Sequence, residues 1–221
     1  MTWQRSSSWS AIFLGITLLT ATPATPASQF RTSDITGHGY GDAIPTLVDQ
    51  RGRARTREDF KGHVTVVLFG FTHCPDFCPT ALSNLAEVLD QLGEERDRVE
   101  IDFITVDPER DTSGVLRDYL SGFGPNFVGL TGEPVSIRKV AKSFKVFFQK
   151  KLLPGGDYTM DHSTVMYILD PQARVRLMSL ANRRPGDIAH DILRLLHDNR
   201  HDRGQQETSQ HENTHGSVGG S

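Results

Sequence analysis

The chain has 221 residues, a formal net charge of -3 and a sequence pI of about 6.3. With 37% hydrophobic and 23% charged residues it can bury one core and carry polar appendages, and no basic stripe lies beside its aromatics, which excludes a nucleic-acid binder. Its two cysteines exclude a four-thiolate zinc site.

The N-terminus reads as an export signal. Arg5 precedes the apolar run Ala11 to Ala21, and small residues and prolines follow. The run is shorter than the roughly 18–20 residues a spanning helix needs and suits a signal peptide of residues 1–27. An uncleaved anchor is the alternative. Residues 28–41 are polar and Gly-bearing and read as a linker to a domain over 42–199. There Ile44 to Val48 and Arg53 to Arg55 flank Asp49-Gln50-Arg51-Gly52, a small hairpin. Val64 to Phe69 is β-branched and continuously apolar, as in a strand buried on both faces. Pro79 to Leu92 carries Leu82, Leu85, Ala86, Leu89 and Leu92 at helical spacing and stops at Gly93.

The pattern continues with a strand over Val99 to Val106, a helix over 113–120, a strand over Phe127 to Leu130, a helix over Pro134 to Phe144 and a strand over Val146 to Leu152. Pro154-Gly155-Gly156-Asp157 opens a turn-rich excursion. Thr164 to Leu169 and Val175 to Ser179 form an antiparallel hairpin, and Ile188 to Leu196 closes the domain as an amphipathic helix. The fold class is α/β: a mixed sheet flanked by helices, with an inserted excursion before the C-terminal hairpin. From residue 200 the chain has no apolar period and is expected to be a disordered, histidine-bearing tail.

Cys74 and Cys78 directly follow the Val64 to Phe71 run, in F-T-H-C-P-D-F-C-P-T. A bridge across so short a loop constrains the unfolded chain weakly, so a structural staple is disfavoured. A redox dithiol and a metal site with a further ligand remain. If the helix begins at Pro79, both sulfurs lie near its positive end, which is expected to lower their thiol pKa values and favour thiolate. Export places the pair where disulfides persist, so a Cys74–Cys78 disulfide forms unless a reductant or a metal prevents it. Among the histidines, His73 lies inside the motif and His162 lies just before a strand, in the excursion that can fold over the cysteine turn. The alternating Asp107, Glu109 and Asp111 read as a charged loop, and Met160 and Met166 as core rather than soft ligands.

Three strings together, T-H-C-P-D-F-C-P, V-D-P-E-R-D-T at 106–112 and D-H-S-T-V-M-Y at 161–167, resemble the Sco/SenC copper-binding proteins and stand in that family's order. The resemblance implies a thioredoxin-like fold, copper held by Cys74, Cys78 and His162, and a role in assembling the copper centre of cytochrome c oxidase. It places Asp107 and Pro108 in a loop beside the site. The implied partners are the copper-bearing oxidase subunit or another copper chaperone, together with a thiol–disulfide reductant. Soft thiolates select Cu(I) or zinc, imidazole accepts both copper states, and zinc normally takes a fourth ligand. The resemblance thus describes a carrier rather than an enzyme, and the export signal is expected to place it in the bacterial periplasm. The alternative is an exported thiol–disulfide oxidoreductase that reduces a partner's copper-ligand cysteines.

Overall fold

The computed structural model describes residues 30–198; the segments read as a signal peptide (1–27) and as a tail (from 200), with residues 28, 29 and 199, lie outside the described residues. The strands, numbered in chain order, are β1 (Ser33–Asp34), β2 (Leu47–Asp49), β3 (Ala54–Arg55), β4 (Val64–Gly70), β5 (Val99–Thr105), β6 (Phe127–Thr131), β7 (Phe148–Leu152), β8 (Tyr158–His162), β9 (Val165–Leu169) and β10 (Val175–Leu180). The α-helices are α1 (Phe77–Leu92), α2 (Ser113–Leu120), α3 (Pro134–Ser143) and α4 (185–198).

Every residue of β4 is buried, as its unbroken apolar run requires of a central strand. β4, β5 and β6 run parallel, linked by α1 and α2, and β9 pairs antiparallel with β4 on its other side. The sheet order is β1-β10-β9-β4-β5-β6-β2-β3. One apolar layer packs α1, α2 and α4 against the sheet through Leu82, Leu85, Leu116, Ile188 and Ile192. The other packs α3 through Ile137 and Val140, with Phe144, Met160 and Tyr167. This is the mixed, thioredoxin-like α/β architecture expected from the sequence.

Three differences from the sequence reading matter. The segment read as a linker includes β1, whose Ser33 pairs with Met178. Asp191 on α4 fastens the same segment by accepting the N–H groups of Arg31 and Thr32. The run expected as a strand over Val146 to Leu152 does not join the main sheet. It forms β7 and pairs antiparallel with β8 in a separate two-stranded sheet. β8 escaped the sequence reading because Tyr158–His162 is short and polar and mostly lacks burial on either face, so no periodicity announces it.

A buried carboxyl also escaped notice. Asp102 on β5 stands opposite Val67 of β4, is 0% exposed, and neither of its oxygens meets a hydrogen-bond partner among the described residues. Its neighbour Glu100 is taken by Arg55 at 2.5 Å and lies 3.5 Å from His63 Nε2. Burial first, and the adjacent Glu100 carboxylate second, push the Asp102 carboxyl well above the usual range, against the pull of Arg55. The folded chain therefore holds this proton to higher pH than the unfolded chain, and stability falls as pH rises from the ordinary carboxylate range. Asp102→Asn keeps the neutral shape. Its melting temperature relative to the parent is expected to rise as pH increases above the ordinary carboxylate range; a difference that does not vary with pH would mean Asp102 is ionised in the folded state.

Candidate metal centre

The site lies outside the carboxyl ends of β4 and β5, where open α/β sheets place their ligands. β4 ends at Gly70, and the chain crosses the pole through residues 71–76 into α1. Because β9 runs antiparallel to β4, with Leu68 opposite Met166, the start of β9 reaches the same pole and brings His162 with it.

α1 begins at Phe77, with Asp76 at its N-cap making no side-chain cap bond, rather than at Pro79 as expected. The helix starts early because sulfur replaces the missing cap: the Cys78 N–H donates to Cys74 Sγ at 3.4 Å, occupying one of the otherwise orphaned first-turn donors. Cys78 therefore lies inside the first turn and its side chain is wholly buried. A Cβ on Gly70 would stand 2.7 Å from Cys78 Sγ and 2.6 Å from Phe103 Cε2, so only glycine lets the strand end approach the sulfur this closely.

This burial overturns the expected thiol chemistry for Cys78. Desolvation pushes its thiol far up, and the neighbouring Cys74 and Asp111 push the same way, while a hydrogen bond from the Phe71 backbone pulls it down. The helix-end field acts within one turn and is modest, whereas charging a fully buried sulfur forfeits its hydration. Cys78 is a neutral thiol at physiological pH. Cys74 is half-buried, and both cysteines are free thiols in this structure.

His162 Nε2 lies 3.9 Å from Cys78 Sγ, although the two residues are separated by 84 positions. Its Nδ1 is 2.9 Å from the Ser163 carbonyl, an acceptor only. Nδ1 therefore carries the proton and the Nε2 lone pair faces the sulfur, the outer-contact arrangement that presets metal-binding imidazoles. Phe71 and Phe77 pack edge-on against the ring at 5.8 and 6.2 Å. Burial in this aromatic box lowers the imidazole pKa and keeps the ring neutral, a state open to a cation.

Of the residues singled out from the sequence, Cys74, Cys78 and His162 meet at this pole. Bonds of about 2.3 Å to sulfur and 2.0 Å to nitrogen together exceed the gap between Cys78 and His162, so both can reach one ion. Among the described residues no three His, Cys, Asp or Glu side chains yet converge on a single point. Cys74 is the one engaged elsewhere, at the Cys78 N–H. His73 is exposed and its Nδ1 lies 3.1 Å from the Thr72 hydroxyl. Met160 and Met166 are core residues.

Two contributors were missed. Asp111, read as part of a charged loop, is fully buried and accepts the Thr72 N–H at 3.0 Å and the Thr72 and Thr105 hydroxyls at 2.6 Å each. It anchors the turn two residues before Cys74. Tyr119 presents a buried hydroxyl with no hydrogen-bond partner among the described residues, and its ionisation is opposed by burial first and then by Cys78, Cys74 and Asp111. The alternation of acidic residues in V-D-P-E-R-D-T was a usable signal for Asp111. A lone tyrosine on an amphipathic helix was not.

The chain is similar to known proteins. Residues 44–197 match the SCO1/SenC family. Protein SCO1 homolog 1, mitochondrial, of Arabidopsis thaliana is 42% identical over 129 residues, which are 58% of this chain and 38% of that protein. An SCO2-like protein of Rickettsia prowazekii is 36% identical over 169 residues, 73% of this chain and 79% of that protein. The chain thus spans well under half of the plant relative and most of the Rickettsia one. The structure of Bradyrhizobium japonicum ScoI with copper bound is 43% identical, with a TM-score of 0.64 over 68% of this chain and 96% of that one. BsSco, described through a disulfide switch and as a member of the Sco family of cytochrome c oxidase assembly proteins, is 26% identical with a TM-score of 0.58 over 74% of this chain and 96% of that one.

Two outcomes are expected. Gly70→Ala should displace Cys78 or Phe103 and cost about 1–3 kcal/mol, read by denaturant unfolding of the reduced protein; an unchanged midpoint would mean the pole is looser than described. Iodoacetamide at neutral pH should label Cys74 well before Cys78, because Cys78 is both buried and protonated. Peptide mass spectrometry at early times would reveal equal labelling if the buried state of Cys78 were only transient.

Proposed function

Because the chain belongs to the SCO1/SenC family, we propose that it binds copper through Cys74, Cys78 and His162 and passes the ion to the copper-bearing subunit of cytochrome c oxidase, or to another carrier, during oxidase assembly. The observation that carries this reading is the 3.9 Å approach of Cys78 Sγ to His162 Nε2, with the other ring nitrogen held by Ser163. Copper is cargo here. Cys74 turns from the Cys78 N–H to complete the set, and the entering cation replaces the proton of the buried Cys78 thiol, so uptake weakens on acidification. Two soft sulfurs and one imidazole suit Cu(I), and the set accepts Cu(II) through its nitrogen. Three donors leave a position open to the acceptor. The protein is a stoichiometric carrier rather than an enzyme. The apolar segment Ala11 to Ala21 supports export to the bacterial periplasm, and no described helix is long and apolar enough to cross a membrane.

A second reading is supported by the cysteine pair itself and by the disulfide switch named for BsSco. Here Cys74, the more accessible sulfur, attacks a disulfide in a partner, and Cys78 then displaces the partner's thiol. The partner gains two electrons and two protons, and a Cys74–Cys78 disulfide is left behind. A thiol–disulfide reductant restores the pair. This chemistry has no need of His162.

Titration of the reduced protein with Cu(I) against a competing chelator is expected to show one tight site. Cys74→Ser or Cys78→Ser should abolish it, and His162→Ala should weaken it by more than the roughly 10–100-fold that loss of an outer contact costs. The disulfide form should bind no copper tightly. Full uptake by Cys74→Ser would sink the copper-ligand assignment. If His162→Ala delivers copper normally yet a Cys→Ser variant fails to reduce a partner disulfide, the oxidoreductase reading takes precedence.

A further inference from the structure

The loop after β5, residues 106–112, offers no soft ligand, yet it grips both halves of the site. At one end Asp111 accepts the N–H and hydroxyl of Thr72, in the turn that carries Cys74. At the other end Asp107 accepts the Tyr158 hydroxyl at 3.0 Å and the Arg110 Nε–H. Arg110 Nη1 donates to the Tyr158 carbonyl at 3.0 Å, and its guanidinium carbon lies 3.8 Å from the centre of the Tyr158 ring. Lys150 of β7 adds an ion pair to Glu109 at 2.6 Å and lies 4.0 Å from the same ring. The two grips cannot drift apart, because the Arg110 and Asp111 N–H groups both return to the Asp107 carbonyl, at 3.2 and 2.9 Å.

What this loop holds is the β7–β8 hairpin, which ends in His162. The hairpin has no ladder to the main sheet. Two strands alone are marginal in water, so its placement must come from side chains. At its base Ser163 N–H donates to the Phe147 carbonyl at 3.0 Å and Phe147 N–H to Ser163 Oγ at 3.1 Å. Met160 packs into the core below. Along its body the polar attachment is the loop after β5.

We propose that Arg110, braced by Asp107 and joined to the cysteine turn through the neighbouring Asp111, is a positioning residue for the copper site: it fixes the β7–β8 hairpin against the cysteine turn at the separation at which His162 meets Cys78. This rests on the copper reading above for its purpose, though the mechanical coupling stands without metal. An arginine suits the task because one planar group donates in two directions while stacking on the tyrosine ring, which a lysine ammonium cannot reproduce.

The test is a double-mutant cycle with a metal-free control. Arg110→Lys is expected to weaken Cu(I) binding about 10–100-fold in the parent, the usual effect of losing an outer contact, and to diminish nitrogen hyperfine structure in the Cu(II) spectrum. In a His162→Ala background the same change should alter affinity less than about 2-fold, because the interaction it supports is already gone. Tyr158→Phe, which removes only the hydroxyl to Asp107, should act in the same direction and more weakly, and it keeps the cycle usable if Arg110→Lys folds poorly. In the metal-free reduced protein, amide exchange over residues 148–162 should accelerate in Arg110→Lys while α1 and β4 are unchanged.

Equal losses in both backgrounds would reduce Arg110 to a general stabiliser and overturn the proposal, as would unaltered affinity in both variants. If the parent protein takes up no copper, the copper reading falls, and the exchange arm decides the coupling by itself. Acceleration confined to the hairpin supports it, and unchanged exchange refutes it.

Discussion

The antiparallel pairing of β9 with β4, Thr65 opposite Leu169 through Leu68 opposite Met166, is the constraint on which the site depends. A parallel partner would deliver its start to the opposite pole. This one delivers it to the carboxyl end of β4, so a histidine far along the chain returns to the cysteine turn. The pairing is secured by burial rather than by polar contact. β4 is covered on both faces, and Met166 through Leu169 are buried beside it. A one-residue slip would turn each of these side chains to the wrong layer.

On that frame the pole balances two opposed demands. Packing wants Cys78 dry, lodged between Gly70 and Phe103, and dryness keeps its thiol protonated. Metal binding wants a thiolate. A cation resolves the conflict, because it supplies next to the sulfur the charge that water and helix end do not. The imidazole opposite is prepared differently, neutral and aligned by Ser163, so it presents a lone pair without first losing a proton. The two candidate ligands thus differ: the imidazole offers its lone pair in advance, whereas the buried thiol needs a cation beside it to give up its proton. The same burial sets the two cysteines apart, with Cys74 half-buried and Cys78 wholly enclosed.

Both halves of the site are held by parts of the chain with little apolar content. The cysteine turn is tied by Asp111, and the histidine hairpin by Asp107 and Arg110. Charged groups do this work here because the hairpin is too short and too exposed to bury much surface: β7 reads as half-buried Phe148 followed by exposed residues. Arg110 and Asp107 are themselves well sheltered, at 18% and 2% side-chain exposure, which places their pairing outside the weak class of surface ion pairs.

The sequence by itself determined the α/β class, the central strand, α1 from its leucine spacing, the C-terminal hairpin and the residues worth watching. These follow from periodicity and turn chemistry, which are local, and the motif resemblance singled out His162. The tertiary structure alone decided that β7 and β8 leave the main sheet, since polar strands carry no periodic signature. It alone decided that the segment before residue 42 joins the sheet through β1, because two residues of strand are defined by their partner. It also decided the protonation of Cys78. Proximity to a helix start is visible in one dimension and argues for thiolate, but burial depends on Gly70, Phe103 and the packing of α1, which meet only when the chain is folded. The role of Asp111 was legible only in part: the acidic alternation marked its loop, but a carboxylate in such a string looks solvated until the fold encloses it with Thr72 and Thr105.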